Sequence, residues 1–343
     1  MRFLVLGGTV FLSAAVAAEA IARGHEVACL ARAVSGSAPE GARLIRADRE
    51  DGAEAYRGAA GRWDSVVEVS WQPSHVRDAL DALSDCASHW TYVSSCSVYA
   101  DQNRAGLDEE AEVLPPLPSH DPATEANYGE AKVACEKACL SAVAPRLHVS
   151  RPGLIGGPGD PSDRFGYWPA RFARRRDDAV LVPEGAATWT QTIDVRDLAA
   201  WIVNAAEQGV TGTLNAVGES TPLNGVLDLA RASADHTGPL VTVDPAWLLE
   251  HGVQPWSGPE SLPLWLPTGV GFDGFARRPC AAALDAGLRR RPLSETVAAT
   301  LDFERHSGLE RHRHAGLSPE KEQSLIVEWT ADWRSTSPAG APN

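Results

Sequence analysis

Apolar and polar positions follow two recurring patterns along the first half of the chain. Short apolar runs, typical of buried strands, occur at residues 3–6, 26–31, 44–47, 65–69, 90–94 and 146–150. Segments in which apolar residues recur every three or four positions, typical of helices, occur at residues 13–23, 76–83 and 126–142. Strands that alternate with helices in this way pair in parallel, so this half predicts an α/β fold with a doubly wound parallel sheet.

The pattern changes after residue 152. A stretch rich in Gly and Pro at residues 153–163 predicts a long loop, and residues 253–274 are rich in Pro, Gly and Trp without a clear period. The remaining apolar spacing is mostly helical, at residues 169–176, 191–206, 223–233, 246–251 and 281–333. The second half therefore predicts a largely helical region.

These patterns suggest two domains in a chain of 343 residues. We expect a sheet domain that binds a nucleotide, formed by residues 1–157 together with about 187–205. A smaller, mostly helical substrate domain would comprise residues 158–186 and 206–334. Residues 335–343 have the composition of a flexible tail.

Composition and charge exclude several classes of partner. The net charge is −14 and no extended run of Lys and Arg occurs, which argues against binding to nucleic acid. No stretch of about 18 uninterrupted apolar residues occurs, so no membrane-spanning helix is expected. The six cysteines form no C-x-x-C pair and the histidines lack metal-ligand spacing. We therefore expect free thiols, no bound metal and a reducing, cytoplasmic location.

A glycine turn follows the first predicted strand, in the segment LVLGGTVFLS. A nucleotide pyrophosphate binds where a tight turn lets the backbone approach closely and a helix directs its N-terminus at the phosphates. Gly7 and Gly8 provide such a turn, whereas Val10 and Ser13 stand where the usual dinucleotide fingerprint has further glycines. By itself the motif is also compatible with an ordinary Gly-Gly turn.

Residues at the ends of the next strands indicate which cofactor would bind. The second strand ends at Arg32 and carries no acid to bind the ribose 2′-hydroxyl of NAD(H), whereas a guanidinium can pair with a 2′-phosphate. The sequence therefore favours NADP(H), with NAD(H) as the alternative. Asp48 follows the third strand and either accepts from the adenine amino group or is a turn residue. Ser70 and Trp71 end the fourth strand, at the edge where cofactors lie.

Groups suited to proton transfer occur in two motifs, YVSSCSVYA and YGEAK. Tyr128 and Lys132 are four positions apart on a predicted helix and therefore share one face. A free phenol has a pKa of about 10, so it needs a neighbouring cation to exchange a proton near neutral pH. With the Lys132 ammonium beside it, Tyr128 can act as general acid or base, and the Ser95 hydroxyl can donate to the reacting oxygen. A Y-x-x-x-K pair alone would fit any amphipathic helix.

The order of these motifs, followed by SRPGLIGGPGD, resembles the extended short-chain dehydrogenase/reductases, the NAD-dependent epimerase/dehydratase family, over nearly the whole chain. The resemblance implies a Rossmann-type domain in which Ser95, Tyr128 and Lys132 are catalytic. Together with the motifs above it gives the expected cofactor contacts, which are Gly7, Gly8, Thr9, Phe11, Leu12, Arg32, Asp48, Ser70, Trp71, Pro152, Gly153 and Ile155. The chain departs from the family pattern at Val10 and Ser13, and at the Ser70-Trp71 end of the fourth strand.

Substrate contacts in this family come from loops near the sheet edge and from the C-terminal part. The residues expected to provide them here are Gln72, Arg164, Tyr167, Trp168 and Gln191. For Tyr167 and Trp168 the alternative is packing in a core or an interface, and for Arg164 it is a solvated surface position.

Three functions are compatible with the sequence. The favoured one is a soluble oxidoreductase that transfers a hydride at a secondary alcohol or ketone carbon of a small molecule. The second is a nucleotide-sugar epimerase that retains its NAD(P). The third is a non-catalytic protein that binds and senses NADP(H), which the altered glycine fingerprint suggests. The resemblance also leads us to expect a homodimer.

Overall fold

The computed structural model of the protein describes residues 1–185 and 188–336. The chain divides into two compact units. The first comprises Met1–Ile155, Gln191–Ser220 and Gly274–Arg291, and the second comprises the described residues among 156–190, 221–273 and 292–336. Most of the expected tail, residues 337–343, lies outside the described residues, while 335 and 336 end a helix.

The strands and helices are numbered in chain order. The strands are β1 (Arg2–Leu6), β2 (Glu26–Ala31), β3 (Arg43–Arg46), β4 (Trp63–Glu68), β5 (Ala87–Val93), β6 (Leu147–Pro152), β7 (Leu154–Gly156), β8 (Val180–Pro183), β9 (Trp189–Asp194), β10 (Gly212–Ala216), β11 (Ser220–Pro222), β12 (Leu240–Val243), β13 (Gln254–Trp256) and β14 (Ser261–Pro263). The helices are α1 (Phe11–Ala22), α2 (Pro73–Leu83), α3 (Tyr128–Val143), α4 (Arg164–Arg174), α5 (Val195–Gln208), α6 (Leu223–Ser233), α7 (Pro245–Glu250), α8 (Ala281–Asp285), α9 (Leu293–Ser307) and α10 (Pro319–Thr336).

Seven strands of the first unit form one sheet in the order β10-β6-β5-β4-β1-β2-β3, and every pair is parallel. The order reverses between β1 and β4, because the chain adds β2 and β3 on one side of β1 and β4, β5 and β6 on the other. This is the strand order of a doubly wound dinucleotide-binding sheet, so the predicted fold class is confirmed. Ligands of such sheets bind at the carboxyl ends of the strands beside the reversal.

Helices cover both faces of this sheet. Phe3 and Val5 of β1 pack in one core cluster with residues of α1 and α5, while Leu4 and Leu6 pack in a second with residues of α2 and α3. All four side chains are buried. Because neither face of β1 meets water, the strand is a continuous apolar run without alternation, which is why it was readable from the sequence.

The second unit is built mainly from helices. Helix α4 packs against α6 and α9, and the strand pairs β8–β12 and β13–β14 are short. The sequence pattern begins α4 at Pro169, yet the helix begins at Arg164. Proline favours the first helical turn, which explains the predicted start. Here Pro169 lies inside the helix instead.

The unit boundaries differ from the expected domain boundaries. Residues 206–220 and 274–291 were expected in the helical domain but belong to the first unit. The reason is that β10 pairs with β6 as the seventh strand, with Asn215 opposite Arg151, and α8 contacts β10. No helix among the described residues is long and apolar enough to cross a membrane.

A row of buried polar side chains lies on the sheet face that α5 covers. Thr91 of β5 and His148 of β6 are direct neighbours in the register, and the His148 ring lies 5.3 Å from the Trp201 ring of α5, measured between centroids. Within the described residues, neither ring nitrogen of His148 has a hydrogen-bond partner. Burial lowers the pKa of His148 to about 3. The folded protein therefore holds this imidazole neutral.

His148 should make the protein sensitive to mild acid. The unfolded chain takes up this proton near the ordinary pKa of 6.5 whereas the folded protein resists it to about 3, so stability falls as pH drops between these values. At about pH 5 the loss relative to neutral pH should be roughly 2 kcal/mol. Thermal or urea unfolding of His148→Gln should show a smaller difference between pH 7 and pH 5 than the unaltered protein.

The matched control is His120→Gln, because the His120 side chain is 82% exposed. This control should keep the acid sensitivity of the unaltered protein. Equal pH dependence in His148→Gln and the unaltered protein would contradict a neutral, buried His148.

Candidate active site

The glycine turn joins β1 to α1 at the carboxyl edge of the sheet. Gly7 has φ +125° and Gly8 has φ +88°, conformations that side chains other than glycine rarely adopt. A Cβ on Gly8 would lie 2.4 Å from the Sγ of Cys29 on β2. Gly8 is therefore required both by its backbone conformation and by the close approach of β1 and β2.

Val10 and Ser13 stand where the dinucleotide fingerprint has glycines, and their side chains leave the cavity beside the turn open. Val10 is 38% exposed. Ser13 is buried in the first turns of α1, and its hydroxyl donates to the Val10 carbonyl at 2.8 Å. Phe11, at φ +42°, packs partly buried on the core with the buried Leu12, and this anchors the start of the helix.

A cavity of about 310 Å³ opens where the turn meets the ends of β2, β3 and β4. It lies beside the reversal of strand order, where dinucleotides bind in such sheets. The expected cofactor residues that line it are Gly7, Thr9, Arg32, Asp48 and Ser70. Backbone from a glycine turn, a cation and a carboxylate in one cavity fit the phosphate and nucleoside parts of a dinucleotide.

Arg32 and Asp48 lie together at the rim of this cavity. Their charged groups are 3.7 Å apart, from Arg32 Nη1 to Asp48 Oδ2, and the Arg32 side chain is 59% exposed. The Asp48 carboxylate also caps the following 3₁₀ segment by accepting from the Glu50 N–H at 3.1 Å. Asp48 therefore caps this turn and also lies at the cavity wall, so the contact with adenine stays a prediction.

Lys132 is buried where β4 and β5 end. Its ammonium donates to three backbone carbonyls, those of Val93 at 2.6 Å, Ser70 at 3.2 Å and Val69 at 3.3 Å. Only 3% of the residue is exposed. The three N–H groups of the ammonium are all used by these oxygens.

Tyr128 is the first residue of α3, one turn before Lys132. The Lys132 Nζ lies 6.0 Å from the centroid of the Tyr128 ring and 4.9 Å from that of Tyr92. The half-buried Trp71 packs against Tyr128 with the ring centroids 5.6 Å apart. The structure thus brings together the tyrosine, the lysine and the aromatic residue at the end of the fourth strand.

Ser95 follows β5 and caps a short 3₁₀ turn. Its Oγ accepts from the Ser97 N–H and donates to the Ser97 Oγ, both at 3.1 Å. The side chain is half-buried, so it stays partly accessible. Gln72 lies between β4 and α2, where its N–H donates to the Ser70 Oγ at 3.0 Å.

Pro152, Gly153 and Ile155 lie at and after the end of β6 in the same unit. Pro152 is buried, and Ile155 packs partly buried against the core. A Cβ on Gly153 would lie 3.4 Å from the Gln191 carbonyl oxygen. These residues do not line the cavity at the glycine turn, which the structure places beside β1, β2 and β4.

Gln191 has a different role from the substrate contact predicted from the sequence. Its amide donates to the carbonyls of Gly218 and Arg278 and accepts from the Arg278 N–H, within the first unit. The residue is buried. The side chain therefore braces two backbone segments, and the prediction of a substrate contact is corrected.

The aromatic substrate candidates of the second unit are core residues. Trp168 is fully buried and its indole N–H donates to the Pro263 carbonyl at 2.7 Å. Tyr167 is also buried, edge-on to Trp168. Both rings therefore pack in the interior of the second unit. Arg164 is half-buried, with its guanidinium 5.3 Å from the centroid of the Trp256 ring.

A buried ion pair beside the cavity was not predicted from the sequence. Glu68, the last residue of β4, has no exposed surface and pairs with Arg49. An indication was present, because a glutamate inside the apolar run SVVEV needs a buried cationic partner. Among the described residues, no group of three or more His, Cys, Asp and Glu side chains is arranged to hold a metal.

A doubly wound sheet with a glycine turn and a nucleotide-sized cavity at its reversal defines a dinucleotide-binding domain. The sequence matches the model of the NAD dependent epimerase/dehydratase family over residues 3–218. The chain belongs to this family, as the motifs predicted, and the members of this family are NAD-dependent enzymes. No curated protein sequence matches the chain significantly.

Solved structures of similar fold include several epimerases. A candidate epimerase from Burkholderia cenocepacia J2315 is 24% identical, with a TM-score of 0.68 over 89% of this chain and 98% of that one. UDP-N-acetylglucosamine 4-epimerase from Bacillus cereus is 16% identical, with a TM-score of 0.66 over 89% and 96%. The Bordetella bronchiseptica enzyme WbmG, solved with NAD and UDP, is 15% identical, with a TM-score of 0.63 over 90% and 96%. These likenesses extend the shared fold over most of the chain.

The steric role of Gly8 can be separated from its backbone conformation. Gly24, at φ +82°, has nothing within 4 Å of an added Cβ, so Gly24→Ala tests the conformation alone. That variant should lose roughly 1–2 kcal/mol of stability, the cost of a left-handed alanine. Gly8→Ala must also displace Cys29 and should lose at least about 1 kcal/mol more in urea unfolding. Equal losses would mean that β1 and β2 do not approach as described.

Proposed function

We propose that the protein is an NAD(P)-dependent oxidoreductase that transfers a hydride at a secondary alcohol or ketone carbon of a small molecule. The observation that supports this most directly is the placement of Lys132. Its ammonium is buried at the ends of β4 and β5, 6.0 Å from the centroid of the Tyr128 ring. The site therefore combines an ionisable phenol and a fixed cation beside a cavity suited to a dinucleotide.

Each residue has a chemical role in this proposal. The Lys132 ammonium, 6.0 Å from the centroid of the Tyr128 ring, supplies positive charge beside the phenol. Tyr128 gives a proton to the substrate oxygen in reduction and takes it in oxidation. The Ser95 hydroxyl, half-buried and held by the Ser97 N–H, turns its one hydrogen from the Ser97 Oγ to the same substrate oxygen. A nicotinamide cofactor, when bound, supplies or accepts the hydride.

The cofactor is held by the glycine turn and the cavity beside it. The N-terminus of α1, which follows the Gly7-Gly8 turn, offers backbone N–H groups to a pyrophosphate. Arg32 lines the cavity with an exposed guanidinium, and the Asp48 carboxylate lies 3.7 Å from it. A 2′-phosphate can take that position more favourably than a loosely paired carboxylate. We therefore favour NADP(H) over NAD(H).

A nucleotide-sugar epimerase is the second candidate function. It is supported by the similar fold of solved nucleotide-sugar epimerases, and of WbmG, solved with NAD and UDP, and MoeE5, solved with UDP-glucose and NAD. In that reaction the hydride returns to the substrate, so the cofactor undergoes no net change. The same phenol and ammonium serve both reactions. A protein that binds NADP(H) without turnover is the third reading, suggested by Val10 and Ser13.

Tyr128→Phe tests the enzymatic proposal. The variant loses only the hydroxyl, so it should bind cofactor with unchanged Kd while kcat falls roughly 10²- to 10⁴-fold. Turnover is measured by NADPH absorbance against panels of ketones, secondary alcohols and nucleotide sugars, with product analysis. Net absorbance change indicates oxidoreduction, and product without absorbance change indicates epimerisation. Unchanged turnover in the variant, or cofactor binding with no turnover on any panel, would overturn the proposed reaction.

Arg32→Ala tests the cofactor preference. Loss of a charge-assisted bond should weaken NADPH binding roughly ten- to a hundredfold and leave NADH binding nearly unchanged. Arg43→Ala is the matched control, because Arg43 is an exposed arginine on β3 that does not line the cavity. Kd values for both cofactors are measured by calorimetry or fluorescence. A ratio of the two Kd values that is the same in Arg32→Ala and the unaltered protein would refute the phosphate role.

A further inference from the structure

The carboxylate of Glu68 makes all of its hydrogen bonds inside the first unit. Oε1 accepts from Arg49 Nη1 at 2.9 Å and from the Ser70 N–H at 2.7 Å, and Oε2 accepts from Arg49 Nη2. A buried carboxylate costs free energy unless such donors surround it. An apolar residue would fill the same space without the free-energy cost of removing a charge from water. The presence of a carboxylate at the end of β4 therefore indicates a specific role.

Arg49 is held as firmly as its partner. Its Nε donates to the Tyr56 hydroxyl at 3.0 Å, and its Nη2 also donates to the His75 carbonyl at 2.8 Å. The Tyr56 hydroxyl donates to the same carbonyl. The Arg49–Glu68 pair is therefore anchored to the 3₁₀ segment that follows β3 and to the first turn of α2.

The bond from the Ser70 N–H to Glu68 fixes the peptide that joins Val69 to Ser70. In a planar trans peptide the N–H and C=O groups point in opposite directions. Because the N–H is directed at Glu68, the Val69 carbonyl is directed the other way, and there it accepts from Lys132 Nζ. The next carbonyl, that of Ser70, accepts from Lys132 Nζ and from the Tyr92 hydroxyl.

We propose that Glu68, held by Arg49, is a positioning residue for Lys132. It orients the Val69 carbonyl, which accepts one of the three hydrogen bonds of the ammonium, and it holds Ser70, whose carbonyl accepts another. Glu68 thus acts on the cation beside Tyr128 without touching substrate or cofactor. This inference rests on the proposed function only for the part that Lys132 plays in turnover.

Amine labelling tests the proposal on the free protein. Lys132, Lys137 and Lys321 are the only lysines in the sequence, and Lys137 is exposed. In the unaltered protein Lys132 should react with acetic anhydride far more slowly than Lys137, as followed by mass spectrometry. In Glu68→Gln the rate at Lys132, relative to that at Lys137, should rise about tenfold or more. Hydrogen exchange of the Ser70 amide should accelerate by a similar factor.

A double variant distinguishes the loss of Lys132 positioning from the loss of folding. Replacing both members of a buried ion pair by apolar residues is often neutral for stability, so Arg49→Met with Glu68→Met should remain folded. It too should expose Lys132 to the reagent, because the Ser70 N–H has lost its acceptor. The control is Glu136→Gln. Glu136 lies on the same helix as Lys132 and forms a similar buried pair with Arg151 of β6, so this variant breaks an ion pair but leaves the end of β4 intact. This control should keep Lys132 protected.

The outcomes separate the two proposals. Protection of Lys132 that is unchanged in both Glu68 variants, or lost equally in Glu136→Gln, overturns the positioning role. In turnover, Glu68→Gln should lower kcat by a larger factor than it changes the cofactor Kd, and its pH–rate profile should shift. If Tyr128→Phe leaves turnover intact while the labelling result holds, the proposed reaction fails and the positioning of Lys132 stands.

Discussion

The site depends on one buried ammonium. A charge taken out of water loses its hydration, and in this molecule three carbonyl oxygens and the face of Tyr92 replace it around Lys132. The carbonyls come from the ends of β4 and β5, which are neighbours in a parallel sheet. Because parallel strands end at one edge, the fold itself gathers these oxygens in one place. The proposed chemistry follows from that convergence.

The first unit uses buried arginine–glutamate pairs to hold this edge in place. Arg49 and Glu68 fix the end of β4, and Arg151 with Glu136 ties the end of β6 to α3. Such pairs gain little net stability over apolar packing, but their fixed geometry leaves few alternative arrangements of the backbone. The departures from the glycine fingerprint fit the same picture, because Val10 points partly outward and Ser13 bonds back to the turn. The cavity at the glycine turn therefore stays open although two glycines of the fingerprint are replaced.

The sequence was sufficient for the parts of the fold that rest on local pattern. Both faces of β1 are covered, so its apolar run was unambiguous, and the spacing of Tyr128 and Lys132 requires only a helix. Strand β10 reads GTLNA and has too few apolar residues to be recognised, since only its pairing with β6 defines it. Trp168 could not be placed either, because burial of an aromatic ring depends on which helices surround it. Glu68 could be suspected, but its partner Arg49 is close only in space.

Strand β10 lies far along the sequence from its partner β6, and this affects folding during synthesis. The first unit is discontinuous, and its sheet is completed only when residues 212–216 return to the free edge of β6. Until then, β6 presents unpaired backbone groups that can recruit a strand from another nascent chain. Fragments that stop before residue 212 should thus tend to self-associate. The first unit also cannot be expressed alone from one continuous segment of the gene.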